Sequence, residues 1–353
     1  MLFGYDFYFL WCAGGVAANG GNPYSVAELN QCLATISWPA SEGVYPLNHP
    51  SHNFWLYCLL AYLPFSVALI LWSLISAGLC VWSGLQWLKL EGLTLYKNSV
   101  LLSLLILVFP PILGTLVWGQ VNALHFFGVT CFAVLYHARR YLFAGIVLSL
   151  TIIKPHLYLC TYAYLAVVIP RQRSWWVYCG AAFGLIAQVL LSQIFFQEGW
   201  QLYLKRLSYF SDDALALTGA TLAQQLANLT GWGGFCIISS VFALLAGARL
   251  GVREHKQLSF LPLTLGVSLI FAPYCWSHGL VSCLPLFLPV MVGFIGRLSE
   301  RQILGLVLGV ACASIPLIVN AQSQIVWMLM PFFTIYLANK RVNERCGLRF
   351  RQQ

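Results

Sequence analysis

Four short constellations in this chain carry side chains able to move a proton, pair with an anion or read a hydroxyl. Asp6 stands among Phe3, Tyr5, Phe7, Tyr8, Phe9 and Trp11, a setting that strips water from a carboxylate and raises its basicity, as a general base requires. The plainer role for such a carboxylate is to cap the short helix that follows. Gly119-Gln120-Val121-Asn122 places two side-chain amides at a tight turn; amides of this kind read hydroxyl-rich ligands, or simply satisfy the turn. Lys154-Pro155-His156 sets a cation between two apolar runs, suited to a phosphate or acidic headgroup, or to snorkelling towards anionic lipid. His278, next to Trp276 and Ser277 and beyond Pro273, either holds a ligand or hydrogen-bonds a neighbour.

The elements that must position these groups are set by composition. Of 353 residues, 60% are hydrophobic and 8% charged, against about 25% charged in a soluble domain. Lipid is therefore the main solvent, and at about 20 apolar residues per crossing the chain suits ten or so helices. The long continuous runs exclude an outer-membrane barrel, whose strands alternate with period two. An all-α polytopic membrane protein is expected. Apolar runs lie near 54–83, 99–118, 121–137, 141–153, 156–169, 175–196, 232–248, 258–273, 279–296, 302–319 and 324–339, which predicts eleven spans, several short and interrupted by Gly or Pro. Residues 1–53, rich in Gly and Pro, read as a polar loop with one short helix at its start and no cleavable signal. The net charge of +9 is scattered between apolar runs rather than gathered on one face, which argues against a nucleic-acid partner. Most of the twelve cysteines lie inside apolar runs as small hydrophobes. Only Cys12 and Cys32 share a loop that could be oxidised, and a bridge there needs a geometry that spacing does not supply.

Charge also orients the chain. With the C-terminus inside, 16 of the 19 Lys and Arg residues fall in cytoplasmic loops and the basic tail 340–353, leaving Lys154, Lys205 and Arg206 outside, as the positive-inside rule requires. The bundle then runs over 54–339, with residues 1–53 and 197–231 external. In the second of these, Trp200, Tyr203, Leu204 and Leu207 alternate with Lys205 and Arg206, which predicts an interfacial amphipathic helix or a loop packed on helix ends. Asp6, Asn22, His49, His52, Gln120, Asn122, Lys154, His156, Trp276 and His278 all fall on or near the outer side. Polar groups that converge at helix ends within a bundle point to a site open to that face.

Taken in order, these pieces resemble the polyprenol-phosphate-dependent glycosyltransferases of the GT-C class, specifically glycosyltransferase family 87 (formerly DUF2029). The resemblance rests on Asp6-Phe7-Tyr8, Ala13-Gly14, Gly20-Gly21-Asn22-Pro23-Tyr24, Tyr45-Pro46 with His49-Pro50, Gly119-Gln120-Val121-Asn122, Ile153-Lys154-Pro155, and Ala272-Pro273-Tyr274-Cys275-Trp276-Ser277-His278. It spans about residues 5–280, and His49 stands where the family tends to have proline or tyrosine. Members of that class carry a transmembrane helix ahead of the catalytic Asp loop, whereas five residues precede Asp6 here. With such a helix restored, the count would be twelve and the N-terminus cytoplasmic.

The resemblance implies a GT-C-like bundle in the plasma (inner) membrane that takes a hexose, with mannose foremost, from a polyprenyl phosphate on the extracytoplasmic face. The sugar passes, with inversion, to a hydroxyl of a lipid-linked or cell-envelope glycan acceptor. Asp6 would be the base, Lys154 and His278 would hold the donor phosphate, and Asn22, Tyr24, His49, Gln120, Asn122, His156 and Trp276 would bind sugar or acceptor. Neither a metal nor another cofactor is implied, and the partners are membrane lipids, the lipid-linked donor and the acceptor. Two other readings remain at this stage: a transporter or flippase of lipid-linked sugars, for which an inverted repeat would speak and none is found, and an inactive assembly subunit.

Overall fold

The computed structural model describes residues 3–36, 38, 39, 44, 49–93, 99–207, 230, 234–254, 258–272, 277–295 and 300–319. Among these it is 83% helical and has no strand. In chain order the helices are α1 (Tyr5–Ala18), α2 (Val26–Thr35), α3 (Phe54–Ala61), α4 (Phe65–Leu90), α5 (Ser99–Val108), α6 (Pro110–Trp118), α7 (Asn122–His137), α8 (Tyr141–Leu148), α9 (Leu159–Arg171), α10 (Trp176–Phe195), α11 (Gly199–Leu207), α12 (Gly234–Arg253), α13 (Leu261–Ile270), α14 (Leu284–Ile295) and α15 (Glu300–Val319). Short 3₁₀ segments occupy Ser51–Asn53, Ser149–Ile153, Pro155–Tyr158 and Ser277–Cys283.

Three of these helices, α4, α10 and α12, are long and apolar enough to cross a membrane, and α5 with α6 makes a fourth candidate crossing bent by 66°. The bend falls where Pro110 cannot donate to the helix ladder. The run expected over 54–83 breaks in the same way, with Pro64 between α3 and α4. The eleven expected runs therefore become three full-length helices, one bent pair and several shorter apolar helices; the run at 324–339 and the tail 340–353 lie outside the described residues.

The long helices are built with their large side chains outward. On α10, Phe183, Ile186, Leu190 and Ile194 are exposed, whereas Gly180, Gly184, Gln188 and Ser192 are buried. On α12, Ile237, Val241, Phe242 and Leu245 are exposed, and Ser239, Ala243, Gly247 and Gly251 form the buried stripe. In lipid there is no hydrophobic gain from hiding a leucine, so helices pair through small residues that let backbones approach. A Cβ on Gly145 would lie 2.0 Å from the Val177 carbonyl oxygen and one on Gly180 2.0 Å from that of Leu142, which is how α8 and α10 interlock. Gly247 of α12 meets the Cys160 carbonyl of α9 in the same manner, at 2.1 Å.

The chain divides into two compact units. One comprises Met1–Leu79, Thr115–Lys154 and Trp176–Ala216, the other Cys80–Gly114, Pro155–Trp175 and Leu217–Gln353. The first unit carries an aromatic core in which Phe7, Phe9 and Leu10 of α1 join Leu29 and Leu33 of α2, Phe54 and Tyr57 of α3, and Trp72 of α4. The second has a polar seam: Thr161 of α9 donates its backbone N–H to the Ser268 hydroxyl (3.0 Å), and the Tyr158 and Ser282 hydroxyls pair at 2.8 Å.

Residues 1–53 hold more order than one short helix. After α1, Gly20 at φ +75° turns the chain, with Gly21 N–H bonded to Val16 C=O and Gly20 N–H to Ala17 C=O, a Schellman closure that only glycine adopts without strain. Ser25 then accepts from Glu28 N–H while the Glu28 carboxylate reaches back to Asn22 N–H (2.9 Å), which starts α2. A disulfide joins Cys12 of α1 to Cys32 of α2, with Cα atoms 5.7 Å apart.

Candidate active site

Asp6 lies in the first turn of α1, and Gly4 rather than Asp6 occupies the cap position, at φ 78°. Gly4 N–H donates to Val117 C=O at 2.7 Å, which ties the start of α1 to the end of α6. One residue beyond α6, Gly119 adopts φ +71°, and a Cβ there would lie 2.6 Å from that of Phe7. The Trp72 indole N–H holds the Gly119 carbonyl at 2.9 Å, and Gln120 N–H closes the turn onto Thr115 C=O at 3.0 Å. The turn is thus pinned from both sides and aims the Gln120 side chain at α1.

There the Gln120 amide is engaged at both ends. Its Nε2 donates to Asp6 Oδ2, and its Oε1 accepts from Lys154 Nζ at 2.7 Å. Lys154 follows the 3₁₀ segment Ser149–Ile153, with its own N–H bonded to Thr151 C=O. Three residues far apart in sequence therefore form one line from carboxylate through amide to ammonium. An amide can satisfy both neighbours in this orientation only if Asp6 accepts and Lys154 donates.

Burial pushes the Asp6 carboxyl up from 3.8 to about 6, while the Gln120 hydrogen bond and the Lys154 charge act the other way. The residue keeps some solvent exposure. A carboxylate whose pKa is raised towards neutral pH in this way is suited to accepting a proton. The sequence-based alternative, a helix cap, does not apply, since α1 has no side-chain cap bond.

The other expected site residues have the following surroundings. Asn22 Oδ1 accepts from Tyr24 N–H, and the buried Tyr24 hydroxyl donates to His49 C=O, both at 3.0 Å. The His49 ring pairs through Nδ1 with the Tyr57 hydroxyl. Hydrogen bonds thus join these three residues and Tyr57 in one cluster. Asn122 opens α7 at 1% exposure, and neither of its amide atoms has a partner among the described residues. His156 sits in the 3₁₀ segment Pro155–Tyr158, in the other unit. His278 lies in the segment Ser277–Cys283, but its side chain, like the whole of Trp276, falls outside the described residues.

Two contacts could not be read from the sequence. Gly4 and Trp72 hold the Gly119–Gln120 turn, a contact that their spacing does not foretell. His52 is buried and stacks on Trp200 of α11, with ring centroids 5.6 Å apart and planes 19° apart. Burial lowers it from 6.5 to about 4 against an opposing backbone contact at Ile152, which sets the Ser51–Asn53 segment beside the one leading to Lys154.

Helices with large apolar outward faces and glycine-rich seams mark a membrane protein, and its first unit holds a buried carboxylate joined through an amide to an ammonium. The family model of glycosyltransferase family 87 matches residues 49–273, and the chain belongs to that family. Gln120 and Lys154 lie inside the match and Asp6 upstream of it. No curated protein and no solved structure matches the chain.

Proposed function

We propose that this membrane glycosyltransferase takes a hexose, mannose foremost, from a polyprenyl phosphate on the extracytoplasmic face of the plasma membrane and passes it to a hydroxyl of a lipid-linked or cell-envelope acceptor. The observation that carries the reading is the Asp6–Gln120–Lys154 line, which sets a base and a cation for phosphate side by side. The acceptor O–H bond breaks as its proton passes to Asp6, and the oxygen's electron pair forms a new bond to the anomeric carbon. The bond from that carbon to the phosphate oxygen breaks on the opposite side, so configuration inverts. Its electron pair leaves with polyprenyl phosphate, whose charge Lys154 meets. His278 is assigned to the same phosphate and Trp276 to the sugar by their place in the family motif.

Two further observations favour the outer face. Sixteen of 19 basic residues fall on the opposite side of the expected topology, and the Cys12–Cys32 bridge suits an oxidising compartment. The reading is tested by giving purified protein radiolabelled polyprenyl-phosphate mannose, and in parallel the glucose form, with a membrane lipid extract. Label is expected in a new lipid, from the mannose donor first. A lack of transfer from either donor, by protein that is folded and in lipid, would overturn it.

A further inference from the structure

Gln120 belongs to a motif expected to read sugar hydroxyls, yet one N–H and one lone pair of its amide are already engaged within the protein. Nε2 is on Asp6 Oδ2 and Oε1 on Lys154 Nζ. Its position is imposed from behind by the left-handed Gly119, the Trp72 indole and the Thr115 carbonyl, so the amide is presented to these two groups as a fixed spacer. A neutral amide that donates at one end and accepts at the other favours the charged form of each neighbour. It also keeps them from closing into a direct ion pair that would neutralise both.

We propose that Gln120 is the positioning residue of the transfer: its amide holds the Asp6 carboxylate by Oδ2, leaving Oδ1 to take the acceptor proton, and holds the Lys154 ammonium one amide away for the donor phosphate. This rests on Asp6 being the base. It makes donor binding and base readiness one coupled event, because a phosphate that draws Lys154 towards itself loosens the far end of the amide that steadies the carboxylate.

Among the described residues, the groups around Asp6 leave this coupling to Gln120 and Lys154. Of the elements packed against α1, α2 brings Glu28, whose carboxylate is bound to Asn22 N–H, and α3 brings Tyr57, whose hydroxyl is bound to the His49 ring. The α6–α7 turn brings Gln120, and Lys154 follows the 149–153 segment. The charge that acts on Asp6 is that of Lys154, and the hydrogen bond is that of Gln120.

The test is the pH profile of kcat/KM for radiolabelled polyprenyl-phosphate mannose, in wild type, Gln120→Leu and Gln120→Glu. Removing the donor to Asp6 disfavours its charged form, so the acidic limb of Gln120→Leu is expected to move to higher pH by about one unit, the usual scale for one hydrogen bond to a charge. Gln120→Glu places a second carboxylate beside the first and should move the limb further. That variant keeps the side-chain shape and carries the test if the leucine variant fails to accumulate. A limb that stays in place, with the apparent KM for the donor raised, would make Gln120 a sugar contact and overturn the proposal. Failure of the base reading looks different: Asp6→Asn would retain turnover and the wild type would show no limb near pH 6.

Discussion

Replacing Asp6 by Asn should make the protein more stable at pH 8 and nearly inactive, a combination that a helix cap or a loop carboxylate would not give. In the folded chain Asp6 ionises at about 6 rather than 3.8, a rise of about two units at about 1.4 kcal/mol each. Because the folded value lies above the unfolded one, the group imposes no penalty below pH 3.8. The penalty grows as pH rises between the two values and is complete, at about 3 kcal/mol, above pH 6. Asn keeps the shape, can still accept from Gln120 through its carbonyl, and carries no charge to desolvate. Thermal unfolding in detergent should therefore place Asp6→Asn above wild type at pH 8 and level with it near pH 4. Transfer should fall by about 10² to 10⁴, the usual contribution of a general base. In the wild type, the ionised fraction drops from about nine-tenths at pH 7 to about one-tenth at pH 5, so kcat/KM should fall about tenfold over that interval. A stability difference that is the same at both pH values, or a variant with wild-type turnover, would refute the reasoning.

The other expectations follow from the same geometry. Lys154→Gln should raise the apparent KM for polyprenyl-phosphate sugar strongly, by several kcal/mol if the phosphate is left buried without its partner, and Lys154→Arg should recover part of it; equal constants in all three proteins would remove Lys154 from the site. Cysteines introduced at positions 22 or 277, in a background stripped of native thiols, should react with an impermeant maleimide from outside intact cells, whereas those at 172 or 343 should not; the reverse pattern would invert the topology. Cys12→Ser opens a bridge between residues 20 apart and should destabilise the α1–α2 pair by about 3 kcal/mol on the loop-entropy scale, measured by thermal unfolding; an unchanged midpoint would mean that the bridge adds nothing to the core packing of α1.

The membrane class and the helical content could be read from composition, because a chain this poor in charge has one solvent open to it. Span count could not. The apolar runs at 54–83 and 99–118 look continuous to a hydropathy window, yet Pro64 and Pro110 each remove a backbone donor, and the helices break there. In the site, Asp6, Gln120 and Lys154 were each visible as residues whose type was out of place in an apolar chain. Their order along the line was not, since it depends on the left-handed Gly119 and on Trp72 reaching its carbonyl. Asn22, Tyr24 and His49 carried the same motif signal, but the hydrogen bonds that link them to one another and to Tyr57 could not be read from it; a tyrosine buried at 7% exposure must place its hydroxyl on some acceptor. The α1–α2 bridge lay beyond spacing, which leaves Cα separation undetermined.

The seams of α8 with α10 and of α9 with α12 invert the usual map of tolerance to change. In a water-soluble protein the bulky apolar positions are the ones that resist substitution. Here Phe183, Ile186, Leu190, Val241 and Leu245 face outward, where lipid adapts to any apolar shape, so a library at these sites should be permissive. The least replaceable positions carry no side chain at all. Each of Gly145, Gly180 and Gly247 meets a carbonyl oxygen within about 2.1 Å of where a methyl group would stand, and even alanine would drive the paired helices apart. Variation among relatives of this chain should therefore concentrate on its largest residues and vanish at its smallest.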